Sequence, residues 1–409
     1  MKWRILEAGI NRLREEPYVL ILFGARQVGK STLLRSAFSD ADLWIDLSSP
    51  AERSAYLASP EKFEQECRAL GGGKRTTVVV DEAQSVPEIF NAVQHLYDED
   101  ASRWKFVLCG SSARRLRKTG ANLLPGRAIY RRLVPLTTLE RPFPEGSGGE
   151  TVPFETERDS SNPRFDPVSL EDRLLFGDLP GIAEAAREMK GELLRSYTQI
   201  YLEEEIRREM LVRDWGAFVR FLELSASESG SIVNMSSLSR QIGVALPTIR
   251  SYYELLEDMF IAFRIPAFSS SRRKGLCSTP RMCFMDTGVR NAAARLDFSE
   301  STIRHDAGAI FEQWVGQELI KRLHYLGRGR LFHLRTRSGT EIDYIVELDG
   351  EQMPVEVKWT DRPSGKDVRH LRTFLATAGP QARRGFVVCR CRRRMQLGEN
   401  IQAIPYWEL

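Results

Sequence analysis

The spacing of hydrophobic residues divides the chain into regions that predict different structures. Residues 1–140 alternate short apolar runs with amphipathic segments. The run at residues 18–23 is uninterrupted, as in a strand that is buried on both faces, and residues 30–38 have helical spacing. Further strands are predicted at residues 43–47, 77–80 and 105–109. This alternation predicts an α/β domain with a parallel sheet.

Two later regions differ from it in composition and periodicity. Residues 141–168 are rich in Pro, Gly, Ser and Glu, which is typical of a loop or linker. Residues 301–409 are predicted to be a separate α/β domain, in which a helix at 309–325 precedes a series of strands. These strands are predicted at residues 331–335, 341–347, 354–358 and 385–388.

The region between them, residues 169–300, has a mainly helical pattern. Segments 236–242 and 247–256 flank a short turn that contains Gly243, and an apolar strand is predicted at 260–265. Helix, turn, helix and strand in this order predict a winged helix-turn-helix.

Composition narrows the class of protein only in part. A chain of 409 residues with 42% hydrophobic and 28% charged residues is typical of a multidomain globular protein. No uncharged apolar stretch approaches the ~18 residues of a membrane span, and the six cysteines lack metal-site spacing, which suits a reducing cytoplasm. The net charge is only +4, but basic runs at 103–132 and 383–394 favour a polyanionic partner.

The first candidate site follows the apolar run at residues 18–23. The sequence GARQVGKST fits the phosphate-binding pattern GxxxxGK[ST], between a predicted strand and a predicted helix. Backbone N–H groups and the helix N-terminus would surround the phosphates of ATP. Lys30 would reach the β- and γ-phosphates, and Ser31 would bind Mg²⁺. The loop consists of Gly24, Ala25, Arg26, Gln27, Val28, Gly29, Lys30, Ser31 and Thr32.

Three later segments would complete this site. The apolar run VVV ends in Asp81 and Glu82, which places two carboxylates at the carboxyl edge of the sheet, beside the phosphate loop. Asp81 would hold Mg²⁺, directly or through water, and Glu82 would polarise the attacking water. Ser111, after the next strand, would sense the γ-phosphate or place the water. Arg127, in the segment LPGR, would be an arginine finger or else a surface arginine.

These segments also resemble a known family. GARQVGKSTLL, VVVDEAQSVPEIFNAV, LCGSSARRL and LPGRAIYRRLVPL are similar to the AAA+-type module of a large prokaryotic family of ATP-binding proteins with a C-terminal domain of uncharacterised function. The resemblance extends over nearly the whole chain outside residues 141–168. It favours the finger role of Arg127, in cis or on the nucleotide of a neighbouring subunit, and so a homo-oligomer, for which a hexameric ring is one arrangement.

The predicted winged helix has two interpretations. Its second helix would enter the major groove if the protein reads DNA, and it would act as a structural lid if it behaves as in some AAA+-type ATPases. In the first interpretation, phosphate contacts would follow from the basic residues beyond the wing. The candidate DNA contacts are Thr248, Arg250, Ser251, Arg272, Arg273 and Lys274.

A second group of candidate catalytic residues lies in the C-terminal region. Period-two alternation puts Glu356 and Lys358 on the same face of one strand, and Asp343 on the neighbouring strand can meet them. Glu312 on the preceding helix would complete the cluster. Glu, Asp and Glu-x-Lys in this order resemble the restriction-endonuclease superfamily, whose carboxylates hold Mg²⁺ and whose lysine assists the attacking water or stabilises the phosphorane. A solvated hairpin, or a nuclease fold that only binds DNA, is the alternative.

The predicted architecture is therefore an AAA+-like P-loop module (1–140), a linker or insertion (141–168), a helical and winged-helix domain (169–300) and a restriction-endonuclease-like α/β domain (301–409). The function that we expect is a cytoplasmic ATPase that remodels or translocates duplex or branched DNA, with no membrane partner. Two alternatives remain from the sequence: a slow ATP-dependent signalling switch and a non-catalytic winged-helix regulator.

Overall fold

A computed structural model describes residues 2–71, 75–112, 124–145, 163–201, 206, 214–269, 279–336 and 339–409. The chain divides into two compact units. The first consists of Met1–Val134 with Asp258–Ile261, and the second of Pro135–Glu257 with Ala262–Leu409.

The first unit is built on a parallel sheet. Its strands are β1 (Val19–Phe23), β2 (Leu43–Asp46), β3 (Thr76–Asp81), β4 (Trp104–Gly110) and β5 (Ala128–Arg132). They lie side by side in the order β2-β3-β4-β1-β5, and every neighbouring pair is parallel. The surrounding helices are α1 (Leu6–Arg14), α2 (Lys30–Ala37), α3 (Pro50–Ala58), α4 (Glu61–Ala69) and α5 (Glu88–Glu99).

The central strands of this sheet carry the core. All residues of β1 are buried, as the continuous apolar run at residues 18–23 predicted, and all residues of β4 are buried as well. Burial of each large aliphatic or aromatic side chain contributes about 1.5–3 kcal/mol. Because β1 has β4 on one side and β5 on the other, the loop that follows Phe23 is held at the carboxyl edge of a fixed sheet.

The second unit begins with helices. They are α6 (Leu170–Phe176), α7 (Pro180–Glu184), α8 (Arg187–Ser196), α9 (Trp215–Ser227), α10 (Met235–Ile242) and α11 (Leu246–Asp258). Asn234 caps α10, and Gly243 ends it in the left-handed conformation, at φ 82°. The antiparallel strands β6 (Ala262–Ile265) and β7 (Arg281–Phe284) follow α11, so a helix-turn-helix is succeeded by a hairpin.

The rest of the second unit is organised by a mixed sheet. After α12 (Thr287–Ala293) and the long helix α13 (Glu300–Leu326) come β8 (Arg330–Arg335), β9 (Glu341–Leu348), β10 (Glu351–Val357), α14 (Arg369–Ala378), β11 (Gly385–Cys389), β12 (Met395–Gly398) and β13 (Ile401–Pro405). The described strands lie in the order β12-β13-β11-β10-β9-β8, with parallel pairs only at β10–β11 and β11–β13.

The segment at residues 141–168 differs from a free linker at both of its described ends. The ring of Phe143 stands edge-on to Trp314 and Tyr406, at centroid distances of 5.6 and 4.8 Å. Phe165 and Val168 are buried as well. Residues 146–162 lie outside the described residues. The composition of the segment predicted the loop but not the packing of its apolar ends.

Candidate functional site

The phosphate loop has the conformation that its sequence predicts. Gly29 sits immediately before α2 at φ 92°, a left-handed conformation that favours glycine. A Cβ at Gly24 would lie 2.3 Å from the carbonyl oxygen of Leu133, so the chain can pass there only without a side chain. Lys30 is buried, and its Nζ donates hydrogen bonds to the carbonyl oxygens of Gly24 and Ala25, both at 2.9 Å. The side chain of Lys30 therefore lies against the backbone of the loop that would bind the phosphates.

The two acidic residues lie at the same edge of the sheet as the loop. Asp81 ends β3 and is 5% exposed. Glu82 follows it at φ 56°, an unusual conformation for a residue with a Cβ, and its N–H donates to Asp81 Oδ1 at 3.0 Å. Such backbone strain recurs where a protein holds a functional side chain in a required direction.

The carboxylate of Glu82 is hydrogen-bonded by two neighbouring side chains. Ser111, which is 1% exposed after β4, donates from Oγ to Glu82 Oε2 at 3.2 Å. Gln84 donates from Nε2 to the same carboxylate oxygen and, at 3.0 Å, to Ser111 Oγ. Two predicted residues, Glu82 and Ser111, are thus brought into direct contact.

Gln84 was missed by the sequence reasoning. It lies in the short 3₁₀ turn Ala83–Ser85, and its Oε1 is buried without a hydrogen-bond partner among the described residues. A Cβ at Gly110 would come within 2.3 Å of that oxygen. The available signal was the spacing in Asp81-Glu82-x-Gln84, where a tight turn after the strand can fold the amide back over Glu82.

Arg127 is not brought to this edge. It precedes β5, whose Ala128 pairs with Val19 at the start of β1, whereas the phosphate loop follows the end of β1. The length of β1 separates them, roughly 15 Å at 3.3 Å per residue. The guanidinium instead contacts Asp98 through two hydrogen bonds of 2.5 and 3.0 Å. A role of Arg127 on the nucleotide of a second subunit stays a prediction. The geometry does not support a role on the nucleotide of its own subunit.

The remaining loop residues fit nucleotide and Mg²⁺ in kind. Ser31 is partly buried in the first turn of α2 and supplies a hydroxyl oxygen. Asp81 supplies a carboxylate oxygen, and Mg²⁺ prefers oxygen ligands with several waters retained. Arg26, Gln27 and Thr32 are at least partly exposed, and Val28 is buried. The side chains of Ser31 and Asp81 therefore fit the nucleotide-bound Mg²⁺ that the sequence implies.

The helix-turn-helix presents its predicted contacts in part. On α11, Ile249 and Tyr252 are buried, while Arg250 and Ser251 are exposed and Thr248 is partly exposed. The side chains proposed for DNA thus lie on the face of α11 that is turned away from the core. Arg272, Arg273 and Lys274 lie outside the described residues, as does the basic segment from Arg114 to Lys118.

The four C-terminal candidates lie close together, but they are already paired. Lys358 Nζ lies 2.7 Å from Glu356 Oε1, and the N–H of Val357 donates to Asp343 Oδ2 at 2.8 Å. Glu312, on α13, is bonded by the guanidinium of Arg281 from β7. Arg281 was not singled out from the sequence, because its partner Glu312 lies 31 residues further along the chain.

Burial shifts the protonation of these carboxyl groups. It raises the pKa of Glu312 to about 7 and the pKa of Glu356 to about 7, and the negative charge of Asp343 adds to both effects. Burial also raises the pKa of Asp343. Over the described parts of the chain, no group of three or more His, Cys, Asp or Glu side chains is arranged to hold a metal ion.

Comparison with sequence families assigns a domain to each region. The profile of an AAA domain matches residues 16–141, and profiles of two domains of unknown function, DUF8612 and DUF4143, match residues 168–300 and 307–409. The chain therefore carries an N-terminal P-loop ATPase domain of the AAA type, followed by two domains whose roles are not defined. The α/β class predicted from the sequence is confirmed, with a helical middle and a mixed sheet at the C-terminal end.

Two relatives that match most of the chain are uncharacterised proteins. An uncharacterised protein of Mycobacterium tuberculosis is 26% identical over 97% of this chain and 82% of its own length. One of Haemophilus influenzae is 22% identical over 85% of this chain and 84% of its own. Among solved structures, a Walker-type ATPase of Pyrococcus abyssi has a TM-score of 0.47 and 17% identity, over 72% of this chain and 96% of that one. None of the described helices has the length and hydrophobicity to cross a bilayer.

Proposed function

We propose that this protein hydrolyses ATP at the phosphate loop and uses the free energy to remodel or translocate duplex or branched DNA. The observation that carries the hydrolytic part is the contact of Glu82 with Ser111 at the sheet edge that also bears Lys30. Backbone N–H groups of residues 24–32 and the N-terminus of α2 would bind the phosphates. Mg²⁺, when bound by Ser31 and Asp81, would neutralise charge on the phosphate oxygens.

Within this site each side chain has a separate task. Lys30 would exchange its bonds to the loop carbonyls for the β- and γ-phosphate oxygens. Glu82 would accept a proton from the attacking water, and Ser111 would hold the Glu82 carboxylate in place. Gln84 would release its own hydrogen bond to this carboxylate. Arg127 would act on the nucleotide of a neighbouring subunit after leaving Asp98.

Exposed basic groups on the second unit support DNA as the partner. In the predicted basic run, Arg383, Arg392 and Arg393 are exposed, and Arg250 is exposed on α11. Guanidinium groups bind phosphates through charge and through directed hydrogen bonds. The restriction-endonuclease-like arrangement of α13, β9 and β10 would then serve as a DNA-binding platform.

The experiment compares purified wild type with Lys30→Ala and Asp343→Ala on duplex, forked and four-way-junction DNA in Mg²⁺ and low salt. We expect DNA to stimulate phosphate release by wild type and Asp343→Ala, and Lys30→Ala to bind DNA without hydrolysis. Absence of both DNA binding and DNA-stimulated hydrolysis would overturn the proposal. Mg²⁺-dependent cleavage that is lost only in Asp343→Ala would identify a nuclease.

A slow ATP-dependent switch is the second candidate, and one observation favours it. Gln84 and Ser111 both donate hydrogen bonds to the carboxylate of Glu82, so the proposed general base is engaged by neighbouring side chains. In a switch, this contact would keep turnover slow and let ATP binding control assembly. Single-turnover phosphate release at rates typical of motors, above ~1 s⁻¹, would argue against it.

A further inference from the structure

Arg281 reaches the C-terminal carboxylates from a strand that is fixed on both sides. It is the first residue of β7, where it pairs with Ile265 of β6 and forms a bridge to Ile232. Its side chain is only 5% exposed. A long cation from the hairpin that follows the helix-turn-helix is therefore buried against the mixed sheet.

The contacts of Arg281 occupy the helix side of the cluster. Its guanidinium bonds Glu312 Oε1 and lies 3.5 Å from Glu341 Oε1. Tyr344 fixes the same turn of α13, because its hydroxyl donates to the carbonyl oxygen of Glu312 at 2.8 Å. Glu312 thus has a charged partner and a braced backbone, and its carboxylate is committed to Arg281.

The strand side of the cluster is occupied by Lys358. Its ammonium group pairs with Glu356, while Asp343 accepts the N–H of Val357. Glu356 Oε2 is buried and has no hydrogen-bond partner among the described residues, so it is the oxygen most open to a further ligand. A divalent ion there would bind two acidic side chains, Asp343 and Glu356, with Lys358 already against one of them.

This arrangement does not fit the Mg²⁺ that the Glu, Asp and Glu-x-Lys pattern implies. Mg²⁺ requires near-octahedral oxygen ligands at ~2.0–2.1 Å. The positive charges of Arg281 and Lys358 would repel the ion, because like charges repel strongly in a medium of low dielectric constant. We propose that the Arg281 guanidinium is the built-in cation of this cluster and that it keeps divalent metal out of it. The cluster is then an ion-paired junction between the β6–β7 hairpin and the β9–β10 sheet. This inference does not depend on ATP hydrolysis or on DNA binding.

The test is a Mn²⁺ titration of the whole protein without nucleotide. The concentration of free Mn²⁺ is measured by electron paramagnetic resonance. Wild type and Asp343→Asn are expected to bind Mn²⁺ identically, since Asp343 holds no metal. Arg281→Met is expected to gain a site at least ten-fold tighter than any that wild type shows, and Arg281→Met/Asp343→Asn to lose it. Any weak Mn²⁺ binding at the phosphate loop is common to all four proteins.

Two variants control for charge and fold. Arg264→Met removes an arginine of the neighbouring strand that pairs with Glu257 at 2.6 Å, and it should bind Mn²⁺ as wild type does. Arg281→Lys keeps the charge and should also behave as wild type. The proposal is overturned if Asp343→Asn removes a Mn²⁺ site from the wild-type protein, a comparison that needs no Arg281 variant to fold. It is equally overturned if folded Arg281→Met gains no site.

Discussion

The ATP site and the C-terminal carboxylate cluster differ in what their cations contact. In the first, Lys30 bonds two backbone carbonyl oxygens, and the carboxylate of Glu82 is held by neutral hydroxyl and amide groups. In the second, Arg281 and Lys358 bond the carboxylates themselves. Bonds from a cation to neutral carbonyls are exchanged for phosphate oxygens at low cost, whereas breaking a buried ion pair leaves an unpaired charge. The first site is therefore open to an anionic ligand, whereas in the second Glu312 and Glu356 are already paired with cations.

The largest effect that tests this difference is expected at Glu82. Glu82→Gln should lower kcat for ATP hydrolysis by ~10²–10³-fold, because the amide cannot accept a proton from water. Binding of ATP should change little, since Lys30 and the loop remain. Steady-state phosphate release and equilibrium binding of a fluorescent ATP analogue measure the two quantities. Glu88→Gln, at an exposed carboxylate in the first turn of α5, is the matched control and should keep wild-type kcat.

The C-terminal carboxylate cluster is expected to make the free energy of unfolding depend on pH. The folded pKa of Glu356 is about 7, above its ordinary value of 4.5, so the folded state holds a proton that the unfolded state releases. The stabilisation from this group is complete below pH ~4.5 and is lost as pH rises through ~7, by about 2 kcal/mol between pH 5 and pH 7.

Glu356→Gln should remove that dependence, because the amide does not titrate. The measurement is urea unfolding at several pH values, read as the difference between wild type and Glu356→Gln. The difference cancels opposing groups such as His333, whose pKa burial lowers to about 4. A difference that does not vary with pH would show that Glu356 is ionised in the folded protein throughout this range.

A smaller effect is expected at Gln84, which decides how freely Glu82 can act. Gln84→Leu should change kcat by about ten-fold, an amount typical of a positioning residue near a general base. Its direction separates the two proposed functions: a decrease means that Gln84 aligns Glu82, and an increase means that it restrains a slow switch. Ser85→Ala, on the same 3₁₀ turn, is the control. Unchanged kcat in Gln84→Leu would contradict both roles.

How far the sequence predicted these sites depends on whether the partners are close in the chain. The phosphate loop and Asp81-Glu82 were predictable because each follows its own strand, and parallel strands end at one edge. Strand β5 was not predicted, since AIYRR is half-exposed and its pairing with β1 is a long-range contact. Arg281 lies 31 residues from Glu312, and the packing of β7 against α13 brings the two together. A pattern of carboxylates shows which ligands a site has, but not which cation the fold already supplies.

The smallest effect concerns the proposed DNA surface, the basic run at residues 383–394. Arg393→Glu should weaken binding to duplex DNA a few-fold at low salt and reduce the slope of log Kd against log salt by about 1–2, because one phosphate contact is lost and a repulsive charge is added. Fluorescence anisotropy with a labelled duplex at several salt concentrations measures both. Arg12→Glu makes the same charge change at an exposed position on α1 and should leave the slope unchanged. If both variants lower affinity equally, DNA responds to net charge alone, and the basic run at 383–394 is not its binding surface.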